Sequence, residues 1–421
     1  MSWLDDSPFA PVLAIASYAI ALLAVLPCAY LFGLGIAATF GRLSRKPMPQ
    51  PGEVAGEKGQ GHIAFVVPAH NEEADIEATL QGLVATVDEN ASIHIIADNC
   101  NDKTADVVRA FVAQHEASPN ARVIKLWERS HETLRAKGYA LEWALPQIFS
   151  WSDDASSKLG PVRFVCIIDA DAQLSEGSLA LARRTFAEGH EVLQAEYLFG
   201  KGLGVRAEVM RIASAALIAR GLGRSTLGLS DTLKGNGMFF RREVLEETPW
   251  CAYSLAEDLE YTMLLLQKHK RVHVLSGSQV SGKLSATTKG ETDQRLRWEG
   301  GRLAVIRKES PVLARQLLQK PSVQTLDILL ELLIPPLGLL VALQAAALVA
   351  TLFLPGYGYT ILIAGWLMLG GYIVLSVFIA GLPLKTFLAL AYVPIYVLWK
   401  IALLPRTWAA SRSKRWVRTA R

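Results

Sequence analysis

At 421 residues the chain is longer than one compact core usually holds, so at least two structural units are implied. Hydrophobic residues make up 51% while charged residues still reach 19%, so the apolar content must be concentrated in segments suited to a membrane. The net charge of +4 hides two basic clusters, at Arg42, Arg45 and Lys46 and again at Arg406, Arg412, Lys414, Arg415, Arg418 and Arg421. Neither comes with a helix-turn-helix, a finger or aromatic-basic alternation, which excludes a nucleic-acid partner and favours anionic lipid headgroups.

In chain order, residues 11–38 form an almost unbroken apolar run, long enough to cross a hydrocarbon core of roughly 30 Å at about 1.5 Å per residue. Asp5 and Asp6 precede it and the basic residues follow it. This is the reverse of a secretory signal, and it sets the N-terminus outside and the next domain in the cytosol. Residues 44–61, rich in Pro, Gly, Lys and Gln, read as a polar linker.

The soluble region extends from there to about residue 320. Short β-branched blocks at 62–67, 92–97, 162–168 and 191–195 alternate with helical-period stretches at 75–87 and 104–115, a pattern that predicts an α/β domain with a mostly parallel sheet covered on both faces. Beyond Pro321 the chain turns apolar again. Runs at 325–354 and 359–381 are spanning candidates. The first is broken by Pro335 and Pro336, and its opening, with Asp327 and Glu331, suits the interface. The run at 383–404 is interrupted by Pro383, Lys385, Pro394 and Lys400 and reads as interfacial or re-entrant, because a cytosolic catalytic domain and a cytosolic basic tail require an even number of crossings between them. Three spans are expected in all. The four cysteines, Cys28, Cys100, Cys166 and Cys251, have neither metal-site nor disulfide spacing and fit a reducing compartment.

Several short motifs carry chemistry. The segment Pro68-Ala69-His70-Asn71-Glu72 joins a strand to a helix, where backbone amides face the sheet's carboxyl edge and nucleotides usually bind; a plain capped turn would look alike. Asp98 ends the next strand, placed to accept a hydrogen bond from a base or ribose, and Asp102 or Thr104 caps the helix after it. Asp169-Ala170-Asp171 follows an apolar block. Alternate residues share one side of an extended chain, so the two carboxylates converge as hard oxygen ligands for Mg²⁺ or Mn²⁺ bridging a diphosphate. A D-x-D also occurs as an ordinary solvated strand end.

Gly235-Asn236-Gly237 lets backbone approach a ligand closely, or simply turns. Glu257-Asp258 opens an apolar helix, where acids suit the dipole and where one carboxylate can serve as general base toward an acceptor hydroxyl. Gln294, Arg297 and Trp298 offer a cation for a diphosphate and a flat apolar face for a sugar or lipid, although a basic-aromatic interfacial helix shares that pattern.

In this order the motifs resemble glycosyltransferase family 2, the branch with a GT-A (Rossmann-like) fold and C-terminal membrane helices that includes cellulose, chitin and hyaluronan synthases and ceramide glucosyltransferases. The resemblance covers residues 62–310. It implies that Pro68, Ala69, His70, Asn71, Glu72 and Asp98 hold the nucleotide with Lys137 nearby, and that Asp169 and Asp171 are the D-x-D with Asp171 the main metal ligand. It further implies that Gly235, Asn236 and Gly237 face the acceptor, that Asp258 beside Glu257 is the catalytic base, and that Gln294, Arg297 and Trp298 are the Q-x-x-R-W motif. Ala97 departs from the family, which often has an acid there, and leaves Asp98 to serve alone. The terminus at 416–421 resembles that of bacterial members associated with exopolysaccharide assembly.

The expected organisation is an N-terminal transmembrane helix at 1–43, a linker at 44–61, the catalytic domain at 62–310, and interfacial and transmembrane helices with a basic cytosolic tail at 311–421. The expected activity is inverting, metal-dependent transfer from a UDP-sugar to a lipid-linked or glycolipid acceptor at the inner (plasma) membrane. A processive polymerase and an inactive donor-binding scaffold are the alternatives. The few C-terminal segments disfavour a polymerase channel, and retention of the acids disfavours a scaffold.

Overall fold

A computed structural model of the protein describes residues 9–49, 59–117, 121–155, 157–199, 204–282 and 288–412. The expectations for Asp5, Asp6, residues 50–58 of the linker and the tail beyond Arg412 lie outside these residues. The chain divides into two compact units that do not follow chain order. A helical unit combines Met1–Ser44, Lys201–Leu229 and Ser310–Arg406, and a sheet unit combines Arg45–Gly200, Ser230–Glu309 and Thr407–Arg421.

In chain order the elements are α1 (Ala10–Leu43), β1 (His62–Ala69), α2 (Ile76–Thr86), β2 (Ala91–Asp98), α3 (Thr104–Glu116), β3 (Val123–Arg129), α4 (Lys137–Asp153), β4 (Val162–Ile167), β5 (Gln173–Leu174), α5 (Ser178–Ala187), β6 (Val192–Tyr197) and α6 (Val205–Thr226). They continue with β7 (Met238–Arg241), α7 (Arg242–Glu247), α8 (Glu257–Gln267), β8 (Val272–Ser281), α9 (Thr288–Gln319), α10 (Val323–Leu333), α11 (Leu337–Leu352), α12 (Gly358–Ile379), a 3₁₀ helix (Leu384–Tyr392) and α13 (Val393–Ala410).

The sheet unit is built on eight strands in the order β3-β2-β1-β4-β7-β6-β8-β5. The pairs β1/β2, β2/β3, β1/β4 and β6/β8 are parallel. β7 runs antiparallel to both β4 and β6, and β5 antiparallel to β8, so the sheet is mixed. Apolar residues alternate across β1: Ile63, Phe65 and Val67 enter one core with Ile76 and Leu80 of α2, while Ala64 and Val66 enter the other with Leu141 and Ile148 of α4. Both faces are covered, which is why these strands read as unbroken apolar blocks.

This topology positions the site. β1, β2, β4 and β6 all point their carboxyl ends to one edge, and the reversed β7 begins at that same edge. Within the sheet a buried polar chain fixes its own tautomers. Trp127 Nε1 donates to His94 Nδ1 at 3.0 Å, so His94 Nε2 carries the proton toward Ser92 Oγ at 2.7 Å; Ser92 in turn meets His62 Nε2 at 2.7 Å, and His62 Nδ1 donates to Gly160 O at 2.8 Å.

In the helical unit α6 and α12 both pack along α1. α6 carries two arginines into an ionic cluster with α10. Arg224 meets Asp327 and Glu331 at 3.1 Å each, Arg220 meets Glu331 at 3.0 Å, and Tyr30 of α1 donates to Asp327 at 2.5 Å. Among the described residues three helices are long and apolar enough to cross a membrane, Ala10–Leu43, Gly358–Ile379 and Leu384–Ala410, or four if the pair Val323–Leu333 and Leu337–Leu352 counts as one span.

The count of three agrees with expectation, but its membership differs. Pro335 and Pro336 bend the 323–352 pair by 81°, which takes it off the list of straight spans. The segment expected to be interfacial, within Leu384–Ala410, is long and apolar enough to be a candidate span. Pro394 sits in the first turn of α13, where no intrahelical N–H bond is lost, and Lys400 is buried, so neither interrupts it.

Candidate active site

The first two strand-to-helix loops are hydrogen-bonded to one another. His70 Nδ1 donates to Asp98 O at 2.7 Å, Asn71 Oδ1 accepts from Asn101 N at 2.8 Å, and Glu72 N donates to Thr104 Oγ1 at 2.7 Å. Asn71 and Asn99 adopt left-handed backbone, φ 58° and 52°, which Asn tolerates better than most side chains. The Asp98 carboxylate is buried and ion-paired with Arg129 at the end of β3, and Asn99 Nδ2 donates to the same oxygen at 2.9 Å. Asp102 accepts from Thr104 N at 3.0 Å inside the loop, but the N-cap position falls to Lys103 and no side chain caps the helix there, contrary to the expectation for Asp102 or Thr104.

Lys137, the first residue of α4, joins three segments. Its ammonium donates to Asp169 at 2.5 Å and to the Gly235 carbonyl, and Asp169 N donates to Asn236 Oδ1 at 3.1 Å. Burial works against its charge, but Asp169, Glu257 and Asp258 together outweigh burial and hold the ammonium's pKa above the usual lysine value. The glycines are required by conformation: φ is +75° at Gly235 and +65° at Gly237. A Cβ at Gly237 would also sit 2.8 Å from Val280 and 2.9 Å from Ala195. Gly235 borders Asp258, whose Oδ2 would lie 3.3 Å from a Cβ placed there.

Glu257 and Asp258 form the first turn of α8, with Leu259 N donating to Asp258 Oδ1 at 2.8 Å. Burial, and then the charge of Asp258, raises the Glu257 pKa against the pull of Lys137 and Arg297; burial likewise raises Asp258. The two acids therefore behave as one pair holding protons above the ordinary carboxylate range.

Two site residues carry no motif. Gln194, fully buried in β6, donates to Asn236 O at 2.8 Å and accepts from Lys234 N at 2.8 Å, so it fixes the Gly235–Gly237 turn. Its only signal in the sequence is an amide inside an apolar strand. Tyr197 ends β6 at the same edge. Burial and then the Asp169 and Asp171 charges push its phenol far above its ordinary pKa, with Arg297 opposing, so it stands among all three. Phe199 lies 5.1 Å from Tyr197 and 5.7 Å from Trp298, ring to ring, which brings α9 to the same place.

The structure thus unites Lys137, Asp169, Asp171, the Gly235–Gly237 turn, Glu257, Asp258, Arg297 and Trp298, while Gln294 lies one turn earlier on α9. Pro68, Ala69, His70, Asn71, Glu72 and Asp98 form the adjoining pair of loops. Among the described residues no three His, Cys, Asp or Glu side chains converge as a metal cage. Two carboxylates suffice for Mg²⁺ or Mn²⁺ when phosphate oxygens and water complete the shell, and Asp169 and Asp171 fit that donor set.

Mixed sheet, D-x-D at its carboxyl edge and acid pair opposite together define a GT-A-type domain. The family model described as "Glycosyl transferase family group 2" matches residues 164–404, and that described as "Glycosyl transferase family 2" matches residues 64–248. The chain belongs to glycosyl transferase family group 2, as the order of its motifs led us to expect.

Among curated proteins it is similar to the beta-monoglucosyldiacylglycerol synthases of Trichormus variabilis and of a Nostoc species. Each is 26% identical over 253 residues, 58% of this chain and 50% of the relative. The chain therefore matches about half the length of these relatives. Among solved structures it is similar in fold to a mannosyltransferase from Pyrobaculum calidifontis in complex with GDP-Man and Mn²⁺. The TM-score is 0.52 at 16% identity, covering 85% of this chain and 97% of that one.

Proposed function

We propose that the protein is a membrane-bound, inverting glycosyltransferase that moves one sugar from a UDP-sugar to a lipid-linked or glycolipid acceptor. The observation that carries this reading is the junction at Lys137, where the D-x-D strand end, the Gly235–Gly237 turn and the acid pair meet around one ammonium.

In this reading the loops at Pro68–Glu72 and Asp98 seat the nucleotide, with Asp98 held in one orientation by Arg129. Asp169 and Asp171 would hold a divalent cation, Mg²⁺ or Mn²⁺, which when bound offsets charge on the diphosphate. Asp258 takes the proton from the acceptor hydroxyl. As that oxygen bonds to the anomeric carbon, the bond from that carbon to the diphosphate oxygen breaks, and displacement from the opposite side inverts the centre. Lys137 and Arg297 are cations suited to the negative charge that leaves with the diphosphate. A lipid acceptor is supported by the name of the curated relatives and by the three apolar helices.

The test is turnover by the full chain in detergent with Mn²⁺ or Mg²⁺, a panel of nucleotide sugars and a membrane lipid extract, read as UDP release and product mass. One added hexose on a lipid is the expected result. A ladder of masses would replace single transfer with polymerisation, and bound nucleotide without turnover for any donor would sink the enzyme reading.

A further inference from the structure

Beyond Arg297 and Trp298 at its start, α9 makes a close backbone approach, in its middle, to the segment that delivers the acid pair. Gly301 lies against the backbone of Leu255 and Ala256. A Cβ there would come 2.8 Å from Ala256 N and 2.8 Å from the Leu255 carbonyl carbon, and real Cβ atoms essentially never come so close to backbone. Ala256 is the residue immediately before Glu257, at the N-cap of α8.

Two turns further on, Lys308 Nζ meets Glu260 Oε1 at 3.2 Å. The other oxygen of Glu260 accepts from Tyr253 N at 3.1 Å and Ser254 N at 3.0 Å, so the loop entering α8 is fastened at its start by Glu260 and at its end by the Gly301 notch. Arg297, Gly301 and Lys308 stand at i, i+4 and i+11, one face of a helix of 3.6 residues per turn. Resting on the reading of Glu257 and Asp258 as the catalytic acids, we propose that Gly301 and Lys308 are positioning residues, which hold the acid pair in register with Arg297 through a single helical face of α9.

One consequence separates this from a merely structural contact. A displacement of the acids of about 1 Å costs on the order of 100-fold in rate while leaving the donor's own contacts in place.

The experiment compares wild type with Gly301→Ala and Lys308→Met in the full chain in detergent, with Gly82→Ala as a control glycine, where an added Cβ meets only Gln173 at 3.9 Å. Lys308 is 65% exposed, so its replacement leaves the fold intact. For Gly301→Ala kcat should fall by roughly 10- to 100-fold with donor KM within about two-fold. Lys308→Met should show the same pattern, reduced to a few-fold, and Gly82→Ala should match wild type. Amide exchange of residues 253–263 should quicken in both α9 variants with β1 to β3 unchanged.

An unchanged kcat in both variants would overturn the proposal, as would losses that appear equally in KM and in global exchange. Should wild type itself not turn over, the enzyme reading falls, and the exchange comparison alone decides the positioning: no local quickening rejects it.

Discussion

Two clusters of charge, one in each unit, are treated in opposite ways. In the helical unit Arg220 and Arg224 face Asp327 and Glu331, two cations to two anions, with Tyr30 filling a further lone pair. In the sheet unit Glu257, Asp258, Asp169 and Asp171 gather around Lys137 and Arg297, and the acid pair is left with its pKa raised. A balanced cluster has nothing left to offer a ligand and acts as a fastener. An excess of anions at a strand edge is poised to take up a cation or a proton, which is the condition for chemistry.

The sharpest way to break this contrast is Asp258→Asn. Removing the proton acceptor should lower kcat by about 10³-fold, within the range for general bases, while nucleotide binding by calorimetry stays within about two-fold. Persistence of wild-type turnover would show that this acid is a dipole partner and nothing more.

In the balanced cluster, Arg224→Met leaves Asp327 and Glu331 short of a cation and should cost about 3–5 kcal/mol, seen as a lowered melting temperature in detergent. Adding Asp327→Leu to Arg224→Met should recover a large part of that loss, because apolar groups of similar size replace one ion pair while Arg220 and Glu331 still face each other. Failure of the double variant to recover would mean the cluster does more than fasten.

The raised acid pair predicts an acid limb for kcat well above the pH of about 4 at which exposed carboxylates titrate, since the base must be unprotonated to work. A profile flat down to that pH would contradict the burial argument.

The smallest effect concerns the sheet unit's own stability. Burial first, then His62 and Lys125, hold His94 down to about 3, and burial also lowers His62. A folded-state pKa below the unfolded value of about 6.5 gives stability that is complete above that pH and is lost as pH falls toward the folded value, at most about 2 kcal/mol per histidine by pH 5. Melting curves at pH 7.5 and 5 should separate accordingly, and His94→Gln should shrink the difference.

Much of the site was legible in the sequence because parallel strands end where their motifs begin. The Pro68–Glu72 loop, Asp98 and Asp169 each close an apolar block, and the rule that such ends share one edge brings them together. Gln194 and Tyr197 were illegible because their roles depend on β7 running backward between β4 and β6, a long-range choice that no local pattern declares. Arg129 lies on an edge strand, where Lys125 and Glu128 dilute the apolar signal. Lys137 came only through family resemblance, since a lysine opening a helix is unremarked on its own.

α6 lies inside the 62–310 stretch expected to form the catalytic domain, yet it groups with the helical unit, where Arg224 is paired with residues more than a hundred positions away. In the apolar runs after residue 321 the place of each proline counts for more than its presence. Two at a helix junction bend the chain, whereas one in a first turn does not.

The strand order has a consequence for biosynthesis. β5 is translated by residue 174, but its partner β8 is not complete until residue 281, and β6 must likewise await β7 and β8. Between them the ribosome delivers α6, which leaves for the other unit. For that interval the nascent chain carries bare strand edges and an unattached helix, so release from the ribosome before residue 281 yields a sticky fragment and not a smaller enzyme.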